Sequence, residues 1–364
     1  MMRIFVAGAA LTFIALSAAK SEVLIGAAGP LSGNVSYAGE VLSLASEIAV
    51  ERMNDAGGID SEALELIVED DACNANQAAA VADKMVGAGV AVVIGHVCSG
   101  ASIAAMQAYD AAGIVMISPT ATNPRVTDEG GPHIFRVAGR DDEQGEIAAA
   151  YLAKAWTDKN IALVHDGDTY GAGVAAEVDK RLQDHGVVIT LQDQVTPGEP
   201  SYGELVDKLT AAEIDVLHYS GRPREAALII QEARSRGDDL QLIGTESLSN
   251  EDFWLVAGDA GDGTLFTSKP DPKDNPEALP LLDIIEDYGL EPSPAFFSAY
   301  AALQAWAMAV DHAGTIDGTE VASALRVHEF ETVIGKIGFD DKGDVTGIDA
   351  FVWYVWQDGA YRLR

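Results

Sequence analysis

From residue 23 onward, short apolar runs alternate with amphipathic stretches of helical length, and that alternation leaves few folds open. VLIGAAGPL (23–31), LELIVED (64–70), VAVVIGH (90–96), GIVMIS (113–118) and HIFRVAG (133–139) predict strands, with helices over 39–54, 75–87 and 100–112 between them. A second series follows: a helix over 143–155, IALVHDG (161–167), a helix over 171–185, VVITLQD (187–193), a helix over 202–212, DVLHYSG (215–221), a helix over 223–236 and LQLIGTE (240–246). Buried strands separated by helix-length segments close as parallel sheets built from right-handed crossovers. Two such series predict an α/β chain with two doubly wound lobes, which suits its 364 residues.

TSKPDPKDNPEALP (267–280) interrupts the pattern with four prolines and reads as a crossing between lobes. Beyond it the spacing predicts helices over 276–288, 294–313 and 318–326, a hairpin at 331–341 and a strand pair in AFVWYVWQDGAYRL. Helices gained this late imply that the backbone crosses more than once, as in a hinge. The expected units are 20–140 with 269–349, and 141–268 with 350–364.

The first 19 residues carry a basic Arg3, an apolar run Ile4–Leu16 and then Ser17, Ala18 and Ala19, the features of a signal peptide cleaved near Ala19. About 13 apolar residues at ~1.5 Å each fall short of the ~30 Å hydrocarbon core, so export is preferred to anchoring. The formal net charge of −34 repels phosphate backbones and anionic lipid, which argues against nucleic acid as a partner. In an exported chain the two cysteines, Cys73 and Cys98, are expected to be bridged. The competing reading, Cys98 as a nucleophile with His96 as its base, lacks an orienting third group.

Ligands of open parallel sheets sit beyond the carboxyl ends of strands. There, Ser99 and Gly100 open a helix whose hydroxyl, free N–H groups and dipole suit a carboxylate. The hydroxyls and carbonyls of Thr120 and Thr122 could take both ends of a zwitterion. Tyr170 follows another strand, and Glu246 offers a carboxylate to an ammonium. Plain capping accounts equally well for Ser99 and Thr122, and a solvated acid for Glu246.

Enzyme signatures are poor. GxxxxGK[ST], HExxH and GxSxG do not occur, and the seven histidines show no close metal-ligand spacing. Gly171-Ala-Gly173-Val-Ala-Ala176 matches a dinucleotide fingerprint only by letter, with Tyr170 crowding its approach. DDKGD (340–344) has Lys342 where a calcium loop needs an oxygen, so a hairpin turn is preferred. No cofactor or metal is expected.

GPLSG (29–33), NDAGGI (54–59), EDDACNANQA (69–78), VIGHVCSG (93–100), ISPTATNP (117–124), RVAGRDDEQG (136–145), VHDGDTYGAG (164–173) and AYAALQA (299–305) resemble the leucine/isoleucine/valine-binding proteins, the type I periplasmic receptors of ABC transporters. The resemblance runs through nearly the whole mature chain in order. It implies a monomeric, two-lobed periplasmic binder without catalysis that closes on a free amino acid, branched-chain or related, and hands it to a membrane permease. It implies Ser99 and Thr122 at the α-carboxylate and part of the ammonium, the Thr120 carbonyl and Glu246 at the ammonium, and Tyr170, Phe296 and Val97 as cleft walls. A Cys73–Cys98 bridge belongs to the same pattern.

Two positions depart from it. Arg222 of SGRPRE stands where an aromatic is expected; its guanidinium could receive an acidic or amide side chain, or lean to solvent beside Glu225, the preferred reading. Ala38 stands where a tyrosine is expected, with Tyr37 one position earlier. "Amino acid" therefore survives better than "leucine". The rival readings are the same fold tuned to a small amide, urea or aromatic acid, and an exported hydrolase.

Overall fold

The computed structural model describes residues 22–288 and 292–364, so the expected signal peptide and its cleavage point lie outside the described residues. The first sheet holds five parallel strands, β1 (Glu22–Gly29), β2 (Ala63–Asp70), β3 (Val92–Gly95), β4 (Val115–Ser118) and β5 (Ile134–Arg136), in the order β2-β1-β3-β4-β5. The crossovers are α1 (Ser36–Asp55), α2 (Ala75–Ala88), α3 (Ser99–Ala112) and the single turn α4 (Arg125–Asp128). Strand order reverses between β1 and β3, so a crevice opens at their carboxyl ends.

The chain then builds a second lobe from α5 (Asp141–Ala155), β6 (Ile161–His165), α6 (Thr169–Asp184), β7 (Leu191–Gln194), α7 (Gly203–Ala211), β8 (Val216–Ser220), α8 (Pro223–Ser235), β9 (Gln241–Gly244), α9 (Glu251–Ala257) and β10 (Leu265–Ser268). It returns through α10 (Leu279–Asp287), α11 (Pro294–Ala313), α12 (Gly318–Val327) and the antiparallel β11 (Phe330–Thr332), β12 (Gly335–Phe339) and β13 (Val345–Thr346). Finally β14 (Val352–Gln357) and β15 (Ala360–Leu363) join the second sheet, whose order is β15-β14-β10-β9-β8-β6-β7 with β14 antiparallel to β10. The backbone thus passes between the sheets three times: after β5, after β10 and before β14.

Late helices enter the first lobe because α11 is apolar on nearly every face. Its Phe296, Phe297 and Trp306 are fully buried in one cluster with Ile25, Val92, Ile117 and Phe135 of the first sheet. The α/β, doubly wound expectation holds, with local differences. The strand expected at 187–193 begins only at Leu191, because Val187 and Ile189 pack against the α6 side of the sheet before pairing starts. The expected hairpin at 331–341 gains β13 as a third strand. Residues 340–344 form its turn: the Asp340 carboxylate accepts the N–H groups of Lys342, Gly343 and Asp344, each at 2.9 Å, with Gly343 at φ +98°. Residues 171–176 lie inside α6 and form no phosphate loop.

Candidate functional site

A cavity of about 310 Å³ lies between the lobes, lined by strand-end loops from both sheets. On the first side β3 ends and α3 begins at Ser99, so the N–H groups of its first turn and the positive end of its dipole point into the cavity. Ser99 is buried, and its hydroxyl accepts the Asn123 N–H at 3.4 Å. This corner is stapled by the Cys73–Cys98 disulfide, Cα–Cα 5.5 Å, which ties the loop after β2 to the residue before Ser99. Beneath it, buried His96 meets the Asp71 carboxylate at 2.6 Å and the Tyr109 hydroxyl at 3.1 Å. With Cys98 oxidised and His96 held by Asp71, no thiol–imidazole pair forms.

The loop after β4 supplies Thr120 and Thr122. Thr120 donates its hydroxyl to the Val97 carbonyl at 2.9 Å, while Thr122 is buried with its hydroxyl beside the Asp141 carboxylate. Neither that hydroxyl nor either Asp141 oxygen makes a hydrogen bond of ordinary geometry, so polar atoms are left over at Thr122 in the cavity wall and at Asp141 behind it. The loop is shaped from behind by Arg136, fully buried, which donates to the Asn123 carbonyl at 2.8 Å and to Asp344 at 2.5 Å.

On the second side, Asp168 caps α6 by accepting the Gly171 N–H at 2.8 Å, which places Tyr170 in the wall. The Tyr170 hydroxyl donates to Thr245 at 2.7 Å, at the end of β9. Glu246 follows directly, opening a single 3-10 turn, and accepts a hydrogen bond from Gln144 of α5, which also donates to Thr267 at 3.0 Å. Burial raises the Glu246 carboxyl above its ordinary range, opposed by the hydrogen bond from Gln144, by the neighbouring Tyr170 hydroxyl and by the charge of Lys269. Burial, then the Glu246 charge, pushes Asp141 up to about 8.

The lobes touch beside the cavity. Asn123 donates to the Thr169 carbonyl at 3.3 Å, and a Cβ on Gly100 would stand 3.0 Å from the Thr169 hydroxyl, so the two helix starts meet at a glycine. Hydrogen-bond donors of the first lobe therefore face a half-buried carboxylate of the second across one small space.

The family profile described as "Periplasmic binding protein" matches residues 22–360. This chain belongs to the leucine/isoleucine/valine-binding family of periplasmic binding proteins. It is 36% identical, across all of this chain and 97% of the relative, to the leucine-, isoleucine-, valine-, threonine- and alanine-binding protein of Pseudomonas aeruginosa. It is 38% identical to Leu/Ile/Val-binding protein homolog 1 of Brucella melitensis, over 93% of this chain and 92% of that one. Among solved structures, a substrate-binding protein of Desulfitobacterium hafniense in complex with Leu aligns with a TM-score of 0.76 at 27% identity, covering 94% of this chain and all of that one. The isoleucine complex of LivJ from Streptococcus pneumoniae aligns at 0.84 with 24% identity, covering 94% and 99%, a likeness of fold.

In this periplasmic binding protein the cavity collects Val97, Ser99, Thr120, Thr122, Tyr170, Arg222 and Glu246. Phe296 is a correction. It does not line the cavity but lies fully buried in the first lobe's core, edge-on to Phe297, while Pro294 and Ala295 face the cleft. Each helical residue turns the side chain by about 100°, so one step along α11 exchanges cleft for core. Arg222 stands in the cleft and not out in solvent beside Glu225, the course preferred for it: its side chain is 23% exposed and turns to Asp168 at 3.4 Å and Asp166 at 4.0 Å. Lys269, at the crossing after β10, was not expected in the wall. Its ammonium donates to the Pro119 carbonyl and the Ser298 hydroxyl, and burial lowers it to about 8 against the pull of Glu246. Only its place just before Pro270 in the crossing segment could have hinted at this.

Proposed function

We propose that this chain is an extracytoplasmic receptor that closes on one free amino acid, branched-chain or related, and presents it as a monomer to the membrane permease of an ABC importer, catalysing nothing on it. The carrying observation is the opposition of Ser99, Thr122 and the α3 N-terminus on one lobe to Glu246 on the other. The α-carboxylate goes to the first set, and the ammonium to Glu246 and the Thr120 carbonyl. Tyr170 and Val97 wall the side chain. The closing units are 20–140 with 269–349, and 141–268 with 350–364, and the leader at 1–19 directs export to the periplasm. Ligand charges leaving water each need a partner, so only a molecule bearing both charges satisfies both walls. An amide, urea or aromatic acid brings no ammonium to Glu246. Such a zwitterion contacts both lobes only when they are closed, and that differential contact shifts the population.

A thermal-shift panel of amino acids tests this. A bound ligand at a hundredfold excess over Kd stabilises by about 2.7 kcal/mol, with no turnover. Stabilisation lost in Glu246→Ala, with apo melting little changed, supports the reading; no shift by any amino acid overturns it.

A further inference from the structure

Beyond the groups that meet the charged ends of the ligand, the cleft does not stop at an apolar wall. It continues past Ala38 and Arg222 into a second cavity of about 300 Å³ that shares Val35, Ala38, Arg222, Pro223 and Asn250 with the first. Arg222 therefore stands at the junction of the two spaces, at the N-cap of α8 with Pro223 fixing the first turn behind it. Its planar group has five donors. One is spent on a long 3.4 Å bond to Asp168, and the approach to Asp166 is a 4.0 Å charge contact. Asp168 is itself shared, since its other oxygen caps α6.

The charge around Arg222 narrows what it can receive. Asp166 and Asp168 already face the guanidinium, Glu246 lines the same cleft, and in the adjoining cavity Glu225 and Asp252 outnumber the one further cation, Arg224. An added carboxylate would meet that acidic surround. A neutral carboxamide fits it: the carbonyl accepts from Arg222 and the amide N–H donates to Asp168, which replaces a stretched ion pair by two shorter hydrogen bonds. A purely aliphatic side chain leaves both groups facing it without new partners.

We propose that Arg222 is a specificity-determining residue that reads the far end of the ligand's side chain, and that the preferred ligands are amino acids ending in a carboxamide, glutamine and asparagine among the common ones. This rests on the amino-acid receptor reading and departs from it at the side chain alone, setting a carboxamide in place of a branched aliphatic group. The first wall fixes the backbone of the ligand; Arg222 and Asp168 fix its tip.

Calorimetric titration of the full mature chain with glutamine, glutamate and leucine tests it, on wild type, Arg222→Met and Arg222→Lys. Glutamine is expected to bind wild type about tenfold or more tighter than leucine, the scale of one hydrogen bond to a charged group. Arg222→Met should lose most of that advantage while leucine affinity stays within about threefold, and Arg222→Lys, which keeps the charge but not the planar fork, should recover part of it. The leucine titration also reports whether each variant is folded and closes. Leucine or glutamate binding as tightly as glutamine, or Arg222→Met weakening glutamine and leucine alike, overturns the role of Arg222 and leaves the receptor reading standing. Failure of wild type to bind all three and every other common amino acid overturns the receptor reading itself.

Discussion

Lys269 donates to the Ser298 hydroxyl at 2.6 Å and to the Pro119 carbonyl at 3.1 Å, so an ammonium at the end of the second lobe's β10 is held by α11 and by the loop after β4 of the first. The same ammonium lies close enough to Glu246 for each to shift the other's protonation. Burial brings it to about 8, below the ordinary 10.5, so between those values the unfolded chain holds more protons than the folded one. Its contribution to stability is present above 10.5 and is lost as pH falls through 8. In urea unfolding at about pH 8 and about pH 10, wild type should gain stability relative to Lys269→Met as pH rises. An unchanged difference between the two proteins would remove Lys269 as the cause.

Asp141 works in the opposite sense. Its carboxyl is pushed up to about 8 by burial and the Glu246 charge, so the folded chain keeps a proton that the unfolded chain releases near 3.8. Stability from this group is complete below 3.8 and is lost as pH rises through 8; Asp166, raised to about 7, adds to the effect. The ligand-free protein should therefore melt higher at about pH 6 than at about pH 9, and Asp141→Asn should flatten that slope, as scanning fluorimetry would show.

Removing Arg136 should be among the most damaging single changes. It is fully buried, pairs with Asp344 and holds the carbonyls of Ala121 and Asn123. Breaking a buried pair by deleting one partner costs about 3–5 kcal/mol, and because Arg140 still reaches Asp344, Arg136→Met belongs at about 3 kcal/mol in urea unfolding. Amino-acid affinity should fall with it, since the loop it shapes carries Thr120 and Thr122.

Cys73→Ser with Cys98→Ser opens a loop of 25 residues. Chain-entropy reasoning values that closure at about 3–4 kcal/mol. The double variant should unfold at correspondingly lower urea, and reductant should lower wild type toward it without affecting the variant.

The α/β architecture was legible because buried strands and amphipathic helices carry different periods, and most strand ends fell within a few residues of their observed places. The cavity-lining positions after those strands, Ser99, Thr120, Thr122, Tyr170 and Glu246, were legible for the same reason, since topology alone sends strand ends to one crevice. Phe296 was misplaced because adjacent helical residues differ by more than a quarter turn, finer than a motif can resolve. Lys269 was nearly illegible: its partners are 150 and 29 residues away, and a proline-rich crossing has no periodicity to betray a side chain turned into the cleft wall. The direction of Arg222 failed likewise, its partner Asp168 being 54 residues distant while Glu225 is a near neighbour in sequence.

Gly139, Lys269 and Phe351, one from each of the three passages of backbone between the sheets, line the same cleft, and a Cβ on Gly139 would stand 2.5 Å from the Phe351 ring. A single tether would let one half swivel freely on the other; three restrict relative motion to folding about one line, like the leaves of a book bound along a spine. Every shutting then returns the same atoms to the same partners, and selectivity becomes a property of alignment as much as of the individual side chains.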